Sequence, residues 1–233
     1  MKLTWICPTW NRPKLLANLI RQFLAQDYPA DQLELLILDD AGQYENQRGD
    51  RWQLISFDRP FATLPEKYNA LLGMVTSDAV VIAEDDDLYS PQHSAVCAAA
   101  LAFGEVCKSS RVLTHVHGVT REEDATGRFH ASIAFQTAAV RKIGGWPITH
   151  RADFDLQFLA KLRDNLSTVN PLLMSSDPDG GLRLSTTPTY TFTWEGSGHY
   201  HAQAYGQGPT DEGWLARARA AAGQICYVGR LTI

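Results

Sequence analysis

The chain is short of cysteine, and the cysteines it has are scattered. Cys7, Cys97, Cys107 and Cys226 include no pair at zinc-finger or redox-dithiol spacing. That removes the small metal-stapled folds and leaves the thiols as apolar filling in a reducing compartment. There is no stretch long and apolar enough to span a bilayer, and no basic leader stands before the first apolar run at residues 3–7. The expectation is a cytoplasmic protein, with peripheral membrane docking left open. Positive charge is also scarce: 21 Lys and Arg against 26 Asp and Glu give a formal net charge of -5. A nucleic-acid partner, which wants a basic face, is disfavoured. Internal repeats, low-complexity tracts and linkers are absent, so the 233 residues read as one domain with one sizeable core.

What is present in excess is negative charge at one place. Residues 80–82, Val-Val-Ile, deliver Glu84-Asp85-Asp86-Asp87, and Pro91 follows. The apolar run reads as a buried strand of a parallel sheet. Carboxylates packed at its end repel one another unless a cation intervenes, and their oxygens suit hard ions such as magnesium or manganese. Ligands of open α/β sheets bind just past such strand ends. The competing reading is a solvated strand-to-helix loop in which Ser90 caps a helix begun by Pro91.

The rest of the chain supplies partners for that loop. Residues 3–7 form a first apolar run, broken by Pro8-Thr9-Trp10-Asn11-Arg12-Pro13. Asn11 or Arg12 then caps a helix carrying Leu15, Leu16, Leu19, Ile20, Phe23 and Leu24 at helical spacing. A second run, residues 35–38, also finishes in acids, Asp39 and Asp40, which alone would read as a turn. The pattern is a strand–helix–strand unit of right-handed, parallel type. Residues 43–50 read as loop, 52–57 as a third strand, and Pro65 opens a helix with Tyr68, Leu71, Leu72 and Val75 on one side. Residues 112–119 alternate as one strand with His115 and His117 on one face; 121–126 read as a charged turn and 129–135 as a strand. Asp153 falls at the N-cap of a helix through Phe154, Phe158, Leu159 and Leu162. A cap carboxylate is stabilised there by the helix dipole, and beside a cleft it can also act as a base. Residues 166–184 read as loop, and Tyr190, Phe192 and Trp194 share one side of a strand. His199 and His201 lie in a glycine-rich loop and are candidate metal ligands, although histidines in loops more often face solvent. Thr210 caps a last helix.

Five of these segments, in this order, resemble the family 2 glycosyltransferases. Pro8-Thr9-Trp10-Asn11-Arg12 resembles that family's nucleotide-contact loop, and Leu36-Ile37-Leu38-Asp39-Asp40-Ala41-Gly42 its second strand. Lys67-Tyr68-Asn69-Ala70-Leu71 resembles the helix before the acidic motif. Glu84 to Pro91 resembles the DxD motif, with Glu84 at the first acid and Asp86 at the metal-binding one. Gly144-Gly145-Trp146 with Ala152-Asp153-Phe154-Asp155 resembles the acceptor-side "ED" motif, with Ala152 in place of the glutamate.

The resemblance implies the GT-A fold: a mostly parallel central sheet flanked by helices, with a small antiparallel acceptor-side portion. It divides the chain at about 1–91 for the nucleotide, 92–195 for acceptor and catalysis, and 196–233 for a C-terminal loop, helix and tail. It implies transfer of a sugar from a nucleotide diphosphate, UDP by family habit, to a hydroxyl of a saccharide or other acceptor, with inversion. The implied donor-site residues are Pro8, Thr9, Asn11, Arg12, Asp39, Asp40, Lys67, Asn69 and Asp85. The implied ligands of Mn2+ or Mg2+ are Asp86, Asp87 and Glu84. Asp153 is the implied base, with Gly145, Trp146 and Asp155 toward the acceptor. Three alternatives stay open: a retaining enzyme of the same fold using His199 or His201, a sugar nucleotidyltransferase, and a sugar- or calcium-binding module. The missing glycine in residues 8–13 counts against the second, and the lack of a spaced-acid-plus-glycine pattern against the third.

Overall fold

A computed structural model describes residues 1–172, 185 and 187–194. In chain order the elements are β1 (Leu3–Thr9), α1 (Pro13–Leu24), β2 (Leu33–Asp39), β3 (Gln47–Arg48), β4 (Trp52–Ser56), α2 (Leu64–Met74), β5 (Ala79–Ile82), β6 (Leu88–Tyr89), α3 (His93–Leu101), β7 (Val106–Lys108), β8 (Arg111–Val116), β9 (Val119–Asp124), β10 (Ile133–Gln136), α4 (Thr137–Lys142), α5 (Phe154–Asn165), β11 (Thr168–Val169) and β12 (Tyr190–Trp194).

Eight strands form the large sheet, in the order β11-β7-β10-β5-β1-β2-β4-β3. Its centre is parallel. β1 pairs with β2 from Leu3↔Leu33 to Thr9↔Asp39, and with β5 up to Ile6↔Ile82. This register brings the three polar strand ends to one edge. The strands are mostly apolar because both faces are covered: all seven residues of β1 and all four of β5 are buried. β10 runs antiparallel between β5 and β7, and β3 antiparallel on β4. A second sheet, β6-β12-β8-β9, stands at the edge where the acids emerge.

Pro13 opens α1, where its missing N–H costs nothing and its φ is already helical. Leu16, Leu19, Ile20 and Phe23 are its buried stripe; burial of each contributes roughly 1.5–3 kcal/mol. Leu15 and Leu24, expected on that face, lie at its margins and are 40% and 38% exposed. Thr63, rather than Pro65, begins α2: its hydroxyl accepts from the Glu66 N–H.

Several expectations need correction. Residues 112–119 are not one strand. His117 and Gly118, with φ of 48° and 77°, make a two-residue turn, and the hairpin returns as β9 through the residues expected to be a charged turn. Positive φ at both turn residues matches the twist of the strands, and Arg111 with Glu122 pairs charges across the exposed edge. His115 stays on β8, bonded to Thr120, and the two histidines do not share a face. Residues 129–135 begin as a turn: Phe129 has φ 57° and residues 130–132 form a short 3-10 turn before β10. Ser90 caps nothing, since α3 starts at His93 with Gln92 at its cap. The expected loops at 43–50 and 166–184 contain the short edge strands β3 and β11. The expected turn at 175–181, the loop with His199 and His201, the last helix from Thr210 and Cys226 lie outside the described residues.

Candidate active site

The site begins at the carboxyl ends of β1, β2 and β5. Asp39 and Asp40 end β2 and are both fully buried. Asp39 accepts from the Ser56 hydroxyl at 2.7 Å and the Ala41 N–H at 3.2 Å. Burial raises its pKa, and those bonds hold it partly back. Tyr44 lies close by; burial and then Asp39 push its phenol up to about 12. Asp40 meets Lys67 of α2 at 2.5 Å and the Phe61 N–H at 3.0 Å, and Lys67 also donates to the Thr9 carbonyl at 2.6 Å. Lys67 is as completely buried as its partner, so the pair is a sealed bolt between β1, β2 and α2.

The acids after β5 divide their roles. Asp85 turns inward, accepting from the Thr9 hydroxyl at 2.5 Å and from Arg12 at 3.0 Å. Arg12 reaches on to Asp86 at 2.7 Å. Asp87 is closed over by β12, with the Tyr190 hydroxyl at 2.6 Å and the Thr193 N–H at 2.9 Å. Glu84 accepts from the Tyr68 hydroxyl at 3.0 Å. Burial first, then Asp86, pushes the Asp85 carboxyl up to about 6. Burial first, then Glu84, raises Asp86, and the same two causes drive Asp87 well up. The loop therefore carries more negative charge than Arg12 neutralises.

Glu84, Asp86 and Asp87 each present a ligand atom, all within 4.8 Å of one another. Oxygens around a hexacoordinate Mg2+ or Mn2+, bonded at about 2.0–2.1 Å, lie about 3–4 Å apart, so these three fit a hard divalent cation after small rotations. Asp85 is not in this group.

Beside the acids opens a cavity of about 490 Å³. Pro8, Arg12, Glu84, Asp85 and Asp86 line it, as do Ala152, Phe154 and Asp155 about the start of α5. Asp39, Asp40, Thr9, Asn11, Lys67 and Asn69 do not line it. Asn11, with φ 52°, shapes the loop into α1. Asn69 makes paired bonds with the backbone of Trp146, both 2.9 Å. That close approach explains Gly145: a Cβ there would stand 2.3 Å from the Asn69 carbonyl oxygen, at φ 60°. Trp146 is buried, stacked between Tyr68 and Phe158 at 4.9 and 4.0 Å.

Asp153 sits at the start of α5 without capping it. Its carboxylate forms a two-pronged pair with Arg151, 2.9 Å on each arm, and accepts from Gln157 at 3.0 Å. Arg151, chiefly by hydrogen bonding, lowers the Asp153 pKa. Residues on both sides of Asp153 line the cavity, while its own carboxylate turns to Arg151. The sequence reading missed Tyr68, His130, Tyr190 and Thr193 as partners of the acids. Only Tyr190 carried a signal, as one of the aromatics spaced along β12.

Residues 4–112 match the family described as glycosyl transferase family 2. No curated protein matches the chain. Among solved structures, residues 1–349 of S. aureus TarS in complex with UDP-GlcNAc superpose with a TM-score of 0.68 at 16% identity, covering 88% of this chain and 61% of that one. TarS 1–349 alone gives 0.65 at 15% identity, over 83% and 60%. The mannosyltransferase PcManGT from Pyrobaculum calidifontis, with GDP-Man and Mn2+, gives 0.56 at 16% identity, over 95% and 73%. The chain thus spans about three-fifths of the TarS fragment, and at these identities the likeness is one of fold. Among the described residues no helix is long and apolar enough to cross a membrane. Residues 4–112 thus resemble glycosyl transferase family 2, and the fold is the GT-A fold.

Proposed function

We propose that this protein is a metal-dependent, inverting glycosyltransferase that moves a sugar from a nucleotide diphosphate, UDP in the first instance, to an acceptor hydroxyl. One observation carries the reading. Glu84 and Asp86, two of three carboxylates able to share a cation, line a cavity of about 490 Å³ with the buried Asp87 behind them, and residues at the start of α5 line the same cavity. Charge separation of that kind suits a reaction with a leaving diphosphate on one side and an attacking hydroxyl on the other.

In this reading Glu84, Asp86 and Asp87 hold Mn2+ or Mg2+. A cation there supplies Lewis-acid neutralisation of the diphosphate. Arg12, bonded to Asp85 and Asp86, lies beside the same position and would turn toward a phosphate were Asp86 engaged by a cation. Asp39, buried and outside the cavity lining, fixes the end of β2 on the nucleoside side through Ser56 and the Ala41 N–H. The Lys67–Asp40 bolt keeps Thr9, and through it Asp85, in place without touching the ligand. Asp153 takes the proton of the acceptor hydroxyl. For that it must leave Arg151, a solvent-exposed partner held only weakly, so acceptor binding can displace it at little cost. The acceptor enters past Asp155 and the Gly145-Trp146 turn.

The test is a screen for Mn2+-dependent hydrolysis of UDP- and GDP-sugars, followed by anomeric analysis of any transfer product. Turnover of one donor with inversion is the expected result. Retained configuration, or a UDP–Mn2+ soak that leaves the Glu84–Asp87 loop without ligand, overturns it.

A further inference from the structure

His130 has no role in the scheme above, yet it is one of the most constrained side chains at the cavity. It is 3% exposed and lines the wall between the acid cluster and α5. Its ring contacts Tyr68 at 5.0 Å, Phe154 at 5.9 Å and Phe158 at 5.7 Å. The Trp146 indole N–H donates to its Nε2 at 2.8 Å. An indole nitrogen only donates, so Nε2 must carry a lone pair and the ring proton sits on Nδ1. Trp146 is itself fixed by its two stacking partners and by Asn69, so this tautomer is built in. The Nδ1–H then has no hydrogen-bond partner among the described residues. Its nearest polar neighbour is Glu84 Oε1 at 3.5 Å, beyond good hydrogen-bond length. A buried donor left unmade is costly, and His130 lines the cavity, so a ligand atom there can supply the missing partner.

The chemistry of the missing atom follows from the pair. One oxygen placed about 2.8 Å from both groups would meet a donor, Nδ1–H, and an acceptor, the Glu84 carboxylate. Phosphate oxygen satisfies the first and is repelled by the second. A hydroxyl satisfies both, accepting from one and donating to the other. The pair lies between the acids that face the leaving group and the α5 end that faces the acceptor, where the transferred unit must sit. Resting on the reading given under Proposed function, we propose that His130 and Glu84 grip one hydroxyl of the transferred sugar, and that His130 thereby sets donor-sugar specificity.

The experiment is calorimetric titration, with Mn2+, of UDP, GDP, UDP-glucose, UDP-galactose, UDP-GlcNAc and GDP-mannose into wild type, His130→Ala and His130→Asn. Asn carries its amide where Nδ1 lay and restores a donor. For a nucleotide sugar that wild type binds more tightly than the bare nucleotide, the Ala variant should lose about five- to tenfold, the size of one neutral hydrogen bond. Bare nucleotide should change less than twofold, and the Asn variant should recover most of the loss. His130→Leu replaces the Ala variant if the latter fails to fold. Equal losses for sugar nucleotide and bare nucleotide, or no loss, overturn the proposal. So does an effect confined to acceptor KM, which assigns the hydroxyl to the acceptor. Wild type that binds no nucleotide at all sinks the glycosyltransferase reading first, and this proposal with it. A separate readout is long-range 1H–15N NMR of the ligand-free protein. His130 should show the Nδ1–H form in wild type and shift toward Nε2–H in Trp146→Phe.

Discussion

The two walls of the cavity are built to different rules. Behind the acid-lined side the charges are sealed: Lys67 and Asp40 have no exposed surface and Asp85 is 2% exposed between Thr9 and Arg12, while Glu84 and Asp86 at the cavity keep 33% and 27%. On the acceptor side the Asp153 side chain is 38% exposed and its partner Arg151 74%. A buried ion pair is held by the cost of breaking it, several kcal/mol once one charge is left alone. An exposed pair is held by almost nothing. The sealed Lys67–Asp40 layer is therefore a fixed part of the fold, and the exposed Arg151–Asp153 pair can exchange partners.

The largest expected effect breaks the first wall. Lys67→Met should cost about 3–5 kcal/mol of unfolding free energy, because Asp40 is left charged and dry. Arg151→Ala, at the exposed pair, should leave the unfolding midpoint and slope indistinguishable from wild type. Urea denaturation measures both, and Lys67→Met with Asp40→Leu should recover much of the loss. Comparable costs for the two single variants would erase the distinction drawn above.

Next comes the chemistry of the acceptor wall. Asp153→Asn should lower transfer by about 10²–10⁴, the range for losing a general base, with UDP–Mn2+ affinity unchanged within twofold. Full activity in this variant would remove Asp153 from the mechanism. Asp86→Asn should do the reverse of that split. It should weaken Mn2+-dependent UDP binding by about tenfold or more and be partly rescued at high Mn2+. A variant whose Mn2+ dependence matches wild type would take Asp86 out of the cation site.

How much of this was legible in the sequence depended on whether the signal was local. β1, β2 and β5 were plain because both faces are covered and the runs are almost wholly apolar. The parallel register that brings Thr9, Asp39 and Glu84 together followed from the strand–helix–strand pattern. The hairpin of β8 and β9 was missed because its turn is His117-Gly118, a weak version of the usual Asn-Gly signal, and because its second strand is exposed and charged. His130 could not be seen at all. Its importance comes from Trp146, sixteen residues away, and Glu84, forty-six away, and no spacing rule joins them. Thr193 and Tyr190 reach Asp87 across more than a hundred residues for the same reason.

The smallest effect is the most specific to the acceptor wall. Arg151 holds the Asp153 pKa below its ordinary value, first through the two-pronged hydrogen bond and also through charge. If Asp153 is the base, kcat/KM falls as pH drops through that lowered pKa, since this ratio reports the free enzyme. Removing Arg151 lets the pKa rise, so the acid limb of the profile should move to higher pH in Arg151→Ala. Below the limb the variant is the slower enzyme. Above it the variant should match or slightly exceed wild type, because a less stabilised carboxylate is the stronger base. A purely structural role for Arg151 would scale the whole profile and leave the limb where it was. In Asp153→Asn, with or without Arg151, the limb should vanish; a limb that persists there belongs to another carboxyl, with Asp155, two residues along and lining the cavity, the first to replace.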